Sequence, residues 1–75
     1  MQDKSTTIDG YKVELCWTDE GTNYCHVSRT INGTLYCSSL PAIDDGYDEF
    51  TEEAGKPIPN ATFHKIEAWA LANGY

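Results

Sequence analysis

Seventy-five residues with twelve acids against five bases carry a formal charge of −7. A chain of this length makes one domain and buries only about 60% of the surface its unfolded form exposes. The charge excludes non-specific attraction to nucleic acid or to an anionic membrane, and it favours partners with basic surfaces.

The chain opens "MQDKSTTIDG", with no apolar run. Residues 1–8 read as a loose polar tail without an export signal, and no later stretch approaches the ~20 apolar residues of a membrane span. The cysteines are Cys16, Cys25 and Cys37. An odd number without an export signal predicts free thiols in a reducing cytoplasm.

"YKVELCWT" alternates, with Tyr11, Val13, Leu15 and Trp17 toward one face and Lys12, Glu14, Cys16 and Thr18 toward the other. That is the period of a half-buried strand. After the turn residues "DEGTN", "YCHVSRTI" reads as a second strand, Asn32-Gly33 as a hairpin turn, and "TLYCSSL" as a third strand. A two-residue turn pairs Ile31 with Thr34 and puts Val27 and Cys37 on opposite faces. A three-residue loop with Gly33 in a bulge pairs Val27 with Cys37, and it is preferred because it buries more apolar side chains. The expected buried face is then Val13, Leu15, Trp17, Cys25, Val27, Leu35 and Cys37. The expected outer face carries Cys16, Tyr24, His26, Ser28, Tyr36 and Ser38.

"IDDGYDEFTEEAG" follows. Six of the ten residues from Asp44 to Glu53 are acidic, with no base among them. Ile43, Tyr47, Phe50 and Ala54 fall on one helical stripe, with Gly55 and Pro57 as stop signals. Gly46 weakens the first turn, so a regular helix is expected to start near Asp45; an irregular acidic loop is the competing reading. As a helix, the acids form two rows, Asp44, Asp48, Glu52 and Asp45, Glu49, Glu53. Like charges spaced by four residues oppose each other, so helix stability does not account for the whole run. In "PNATFHKIEAWALANGY" Asn60 caps a last helix, with Phe63, Ile66, Trp69 and Ala70 on its apolar face and Gly74 at its end. The expected fold is α+β: a three-stranded antiparallel β-meander covered by a C-terminal helix, with a short acidic helix or loop between, in the order β-β-β-α-α.

Cys16, Cys25, Cys37, His26 and His64 show no close CxxC or HxxxH pair, so no metal site and no cofactor are expected. Cys16 across from His26 makes a conceivable thiol pair, but no pocket or orienting group accompanies it and the chain reads as a non-enzyme. "DDGYDE" lacks the spacing of a calcium loop. Tyr24, His26 and Tyr36 form a secondary candidate surface for a protein partner. With only Lys12 and Arg29 as bases in the expected strands and a negative net charge, direct nucleic-acid binding is not expected, and the expected state is a monomer or weak dimer.

Four residues of helix rise about 6 Å, so two carboxylate rows can imitate a stretch of phosphate backbone, with its charge every ~3.4 Å per strand. The plainer reading is a solvated face that keeps a small protein soluble. In its length, its charge and the run Asp44, Asp45, Asp48, Glu49, Glu52, Glu53, the chain resembles the small acidic counter-defence proteins of bacteriophages and mobile elements, the DNA-mimic anti-CRISPR proteins above all. The resemblance is one of size and charge over the whole chain and includes no diagnostic motif. It implies a stoichiometric inhibitor in the bacterial cytoplasm that blocks DNA binding by a CRISPR effector complex. The implied contacts are the six acids and Tyr47, set against a basic, nucleic-acid-binding surface. The alternative is a structural or regulatory adaptor that binds its partner through the Tyr24/Tyr36 sheet face.

Overall fold

The computed structural model of the protein describes residues 4–75. Strands β1 (Lys4–Ile8), β2 (Tyr11–Trp17), β3 (Asn23–Ile31) and β4 (Thr34–Ser39) form one antiparallel sheet in the order β1-β2-β3-β4. Helices α1 (Leu40–Asp45), α2 (Glu49–Glu52) and α3 (Asn60–Ala72) follow. The α+β class holds, with four strands in place of the expected three. The added strand occupies residues expected to be a loose tail; residues 1–3 of that tail lie outside the described residues.

Two hairpin turns organise the sheet. Asp9 and Gly10 have φ of 50° and 88° and pair Ile8 with Tyr11. Left-handed backbone at both positions is what a two-residue type I′ turn requires, and it folds the threonine-rich segment back on β2. Asn32 and Gly33, at φ 52° and 84°, do the same for Ile31 and Thr34. The three-residue bulged loop is therefore not formed. Val27 pairs with Ser38, and Cys37 pairs with Ser28. Tyr36 turns inward, while Leu35 is left 61% exposed. Turn geometry decided the register, and the apolar burial expected of Leu35 and Cys37 is supplied instead by Tyr36 and by Leu40 at the start of α1.

The core lies between the sheet and the helices. Val13, Leu15, Cys25, Val27, Phe50, Ile66 and Ala70 are fully buried, with Tyr11, Leu40 and Ile58 nearly so. Trp17, Phe63 and Trp69 pack against this cluster while keeping some exposure.

Helix α3 spans the sheet and is fastened at both ends. Thirteen residues of helix extend about 20 Å, close to the length of a seven-residue strand such as β2. At its start the Asp9 carboxylate accepts hydrogen bonds from Thr62 Oγ1 at 2.7 Å and from Lys65 Nζ at 3.1 Å. At its end Asn23 Nδ2 donates to the Gly74 carbonyl at 2.6 Å and Lys4 Nζ to the Asn73 carbonyl at 3.3 Å. The first helical residue is Asn60 itself, and Pro59 takes the capping position expected of it.

The Thr62 and Lys65 contacts hold the Asp9 carboxyl below its ordinary value. A carboxyl with a depressed folded pKa contributes stability above its unfolded pKa of about 3.9, and that contribution disappears as pH falls through the folded pKa. Asp9→Asn is therefore expected to unfold at lower urea concentration than wild type at pH 7. The two midpoints are expected to converge below about pH 4. A gap that persists unchanged at acid pH contradicts this role for the carboxylate.

Candidate functional site

The acidic run folds as a corner, not as one helix. Helix α1 ends in a Schellman arrangement: Gly46 is left-handed at φ 78°, its N–H reaches the Ile43 carbonyl, and the Tyr47 N–H reaches the Ala42 carbonyl. Gly46, expected only to weaken a first turn, is the residue that ends a helix. The chain then turns, and Asp48 opens α2. The two expected rows of acids, and the single stripe of Ile43, Tyr47, Phe50 and Ala54, do not form.

The corner divides the acids by role. Asp48 is 2% exposed. It caps α2, its side chain accepting from the Thr51 N–H at 3.1 Å and from Thr51 Oγ1 at 2.8 Å. Glu49 is half-buried against β4. Its Oε1 accepts the Cys37 N–H at 3.1 Å, and its own N–H donates to Ser38 Oγ at 2.9 Å. Together these close part of the outer edge of the sheet, where an unpaired N–H invites strand addition. Phe50 then enters the core, edge-on to Tyr11 at 5.5 Å and tilted against Tyr36 at 6.4 Å. The segment Asp48–Phe50 is thus a clamp that fixes the corner on β4.

Asp44, Asp45, Glu52 and Glu53 are exposed, and Tyr47, between them in the chain, is 75% exposed. The ion pairs among the described residues, Lys12–Glu14 at 3.7 Å and Lys65–Asp9 at 3.1 Å, lie outside this region. Arg29 stacks over the Tyr11 ring at 4.9 Å. Neither ion pair involves Asp44, Asp45, Glu52 or Glu53, and the large apolar side chain that the corner exposes is the Tyr47 ring.

Because Glu49 serves the β4 edge, Glu49→Ala is expected to lower stability by about 1–2 kcal/mol, the cost of stranding a partly buried N–H. Glu49→Gln, which keeps an acceptor oxygen, is expected to lose much less. Urea unfolding followed by tryptophan fluorescence distinguishes them, and equal losses contradict the edge contact.

The sheet's outer face also differs from expectation. Tyr24, His26, Ser28 and Cys16 lie on it, joined by Leu35 and Cys37, whereas Tyr36 and Ser38 are on the helix side. Tyr24 and Tyr36 thus share no surface. Cys16 pairs with Tyr24, and Glu14 with His26, so the thiol and the imidazole are not directly opposed. Burial, with the Cys16 thiol nearby, pushes the Cys25 thiol up to about 11, which disfavours its nucleophilic thiolate. Cys16, Cys25 and Cys37 are free thiols. Among the described residues no group of three or more His, Cys, Asp or Glu is placed to hold a metal ion, and no helix is long and apolar enough to cross a membrane.

No family model matches the chain, and neither does any curated protein or solved structure.

Proposed function

We propose that the chain is a non-enzymatic protein–protein inhibitor whose α1–α2 corner docks on a basic, nucleic-acid-binding surface. The kind of target we propose is a CRISPR effector complex in a bacterial cytoplasm, with the chain acting as a phage-encoded anti-CRISPR that occupies the path of DNA. The observation that supports this reading is the corner itself: exposed carboxylates on α1 and at the end of α2, an exposed tyrosine in the turn between the two helices, and Asp48, Glu49 and Phe50 tying that turn to β4 and the core. Rigid placement matters because charges fixed before encounter lose less freedom on binding, and opposite charge steers association.

The contact set proposed from structure is narrower than the run. Asp44, Asp45, Tyr47, Glu52 and Glu53 face the partner, while Asp48 and Glu49 position them. The test is capture from a bacterial lysate that contains CRISPR–Cas complexes, with washes of rising salt. Retention of a nucleic-acid-binding complex at low salt and its release at moderate salt is the expected outcome, since exposed charge pairs are screened over about 8 Å at physiological ionic strength. Retention of nothing specific, or of a partner indifferent to salt, counts against it. In the latter case the outer sheet face with Tyr24 and His26 becomes the surface to examine, without Tyr36.

A further inference from the structure

Two shallow grooves run between α1 and α3, about 250 and 220 Å³ in volume, and Asp44 and Phe63 line both. The smaller groove is walled by Leu40, Pro41, Phe63 and Tyr75, with Asp44 and Glu67 as its charged groups. Neither groove has a lysine or arginine among its lining residues. Both volumes fall below the roughly 300–1,000 Å³ of small-molecule sites, which suits one long side chain of a partner and not a free cofactor.

We infer that the Phe63 groove is a receptor for a single arginine side chain of the protein partner, its guanidinium set between Asp44 and Glu67 and its stem laid along Phe63 and Tyr75. The inference rests on the inhibitor reading for its biological partner, but the pocket's chemistry is independent of it. A groove with an apolar, aromatic floor and acidic groups from two different helices matches a side chain with an apolar stem and a cationic head. Arginine is favoured over lysine because its planar, weakly hydrated head stacks on aromatic rings and donates several fixed N–H groups to carboxylates. The floor is firmly built: Phe63 packs on the core cluster, and the Tyr75 N–H is tied to the Ala70 carbonyl at 2.9 Å. Glu67 lies outside the acidic run, so this groove extends the recognition surface from α1 onto α3.

The experiment is an NMR titration of the ¹⁵N-labelled chain with N-acetyl-argininamide, and separately with N-acetyl-lysinamide, at low ionic strength. The expected result is saturable shifts confined to Asp44, Phe63, Glu67, Tyr75 and their neighbours, with a Kd of about 1–10 mM for so small a probe. Lysinamide is expected to bind several-fold more weakly. Glu67→Gln, a nearly isosteric change at a half-buried side chain, is expected to weaken argininamide about fivefold, as is Phe63→Leu. Shifts that never saturate, that spread equally over Asp19, Glu20, Glu52 and Glu53, or that lysinamide reproduces at equal affinity overturn the assignment. The two readings fail separately. Argininamide binding in the groove with partner capture unaffected by charge reversal at Glu52 and Glu53 removes the inhibitor reading alone. Capture lost on that reversal without saturable argininamide binding removes the groove alone.

Discussion

Phe50→Ala is expected to remove most of the protein's stability. The side chain is fully buried, and it touches Tyr11 from β2 and Tyr36 from β4. Truncating a buried phenylalanine costs about 3–5 kcal/mol, from lost transfer energy and from the cavity left behind. Domains are stable by about 5–15 kcal/mol, and one of this size starts with little in reserve. No neighbour can easily collapse into the gap, because α2 is a single turn that has no other buried residue. The expected readout is a large fall in urea midpoint by tryptophan fluorescence, with a smaller fall for Phe50→Leu. A loss below about 1 kcal/mol for the alanine variant contradicts the docking of α2, since it lies well under the range for a buried ring. The acidic corner loses its seat in the same variant, so binding tests must use other substitutions.

The second large effect is on binding. Glu52→Lys combined with Glu53→Lys is expected to weaken partner capture about a hundredfold, or ~2.7 kcal/mol, because each attraction is replaced by a repulsion against a basic surface. Both residues are exposed, and they lie at the end of α2, where acids oppose the helix dipole, so stability is expected to hold or rise slightly. Charge alone is not the variable. Asp19→Lys with Glu20→Lys changes the net charge equally, on exposed residues of the turn between β2 and β3. That control is expected to slow association modestly through the long-range field and to leave the bound complex intact. Equal losses from both pairs reduce the corner to a contribution to net charge.

How much of this was readable from residues alone depends on the kind of contact. The alternation of β2, the Asn32-Gly33 turn and the stripe of α3 are local, and each appears where its period or turn residues place it. Strand β1 is equally local: Asp9-Gly10, flanked by "TTI" and "YKV", is as strong a hairpin signal as Asn32-Gly33. The polar composition of this exposed edge strand masks it. The register of β4 runs against the apolar pattern because the two-residue turn that Asn-Gly specifies prevails over side-chain burial there. The acidic run shows a different difficulty. Gly46 fits both a weak helix interior and a helix end, and only the preference of glycine for left-handed backbone separates them. The Glu49 contact with the Cys37 N–H, and the approach of Phe63 and Glu67 to Asp44, are tertiary. No spacing in the chain announces them, so the division of the acids into holders and presenters emerges only with the fold.

The central claim is that the corner excludes DNA from a partner's basic surface. Its most direct measurement follows a fluorescently labelled target duplex bound to a CRISPR effector complex as the chain is titrated in. The account predicts stoichiometric loss of bound DNA with the wild-type chain and DNA retained with the Glu52→Lys, Glu53→Lys variant. DNA occupancy that is indifferent to the wild-type chain, or that falls equally with both, contradicts it.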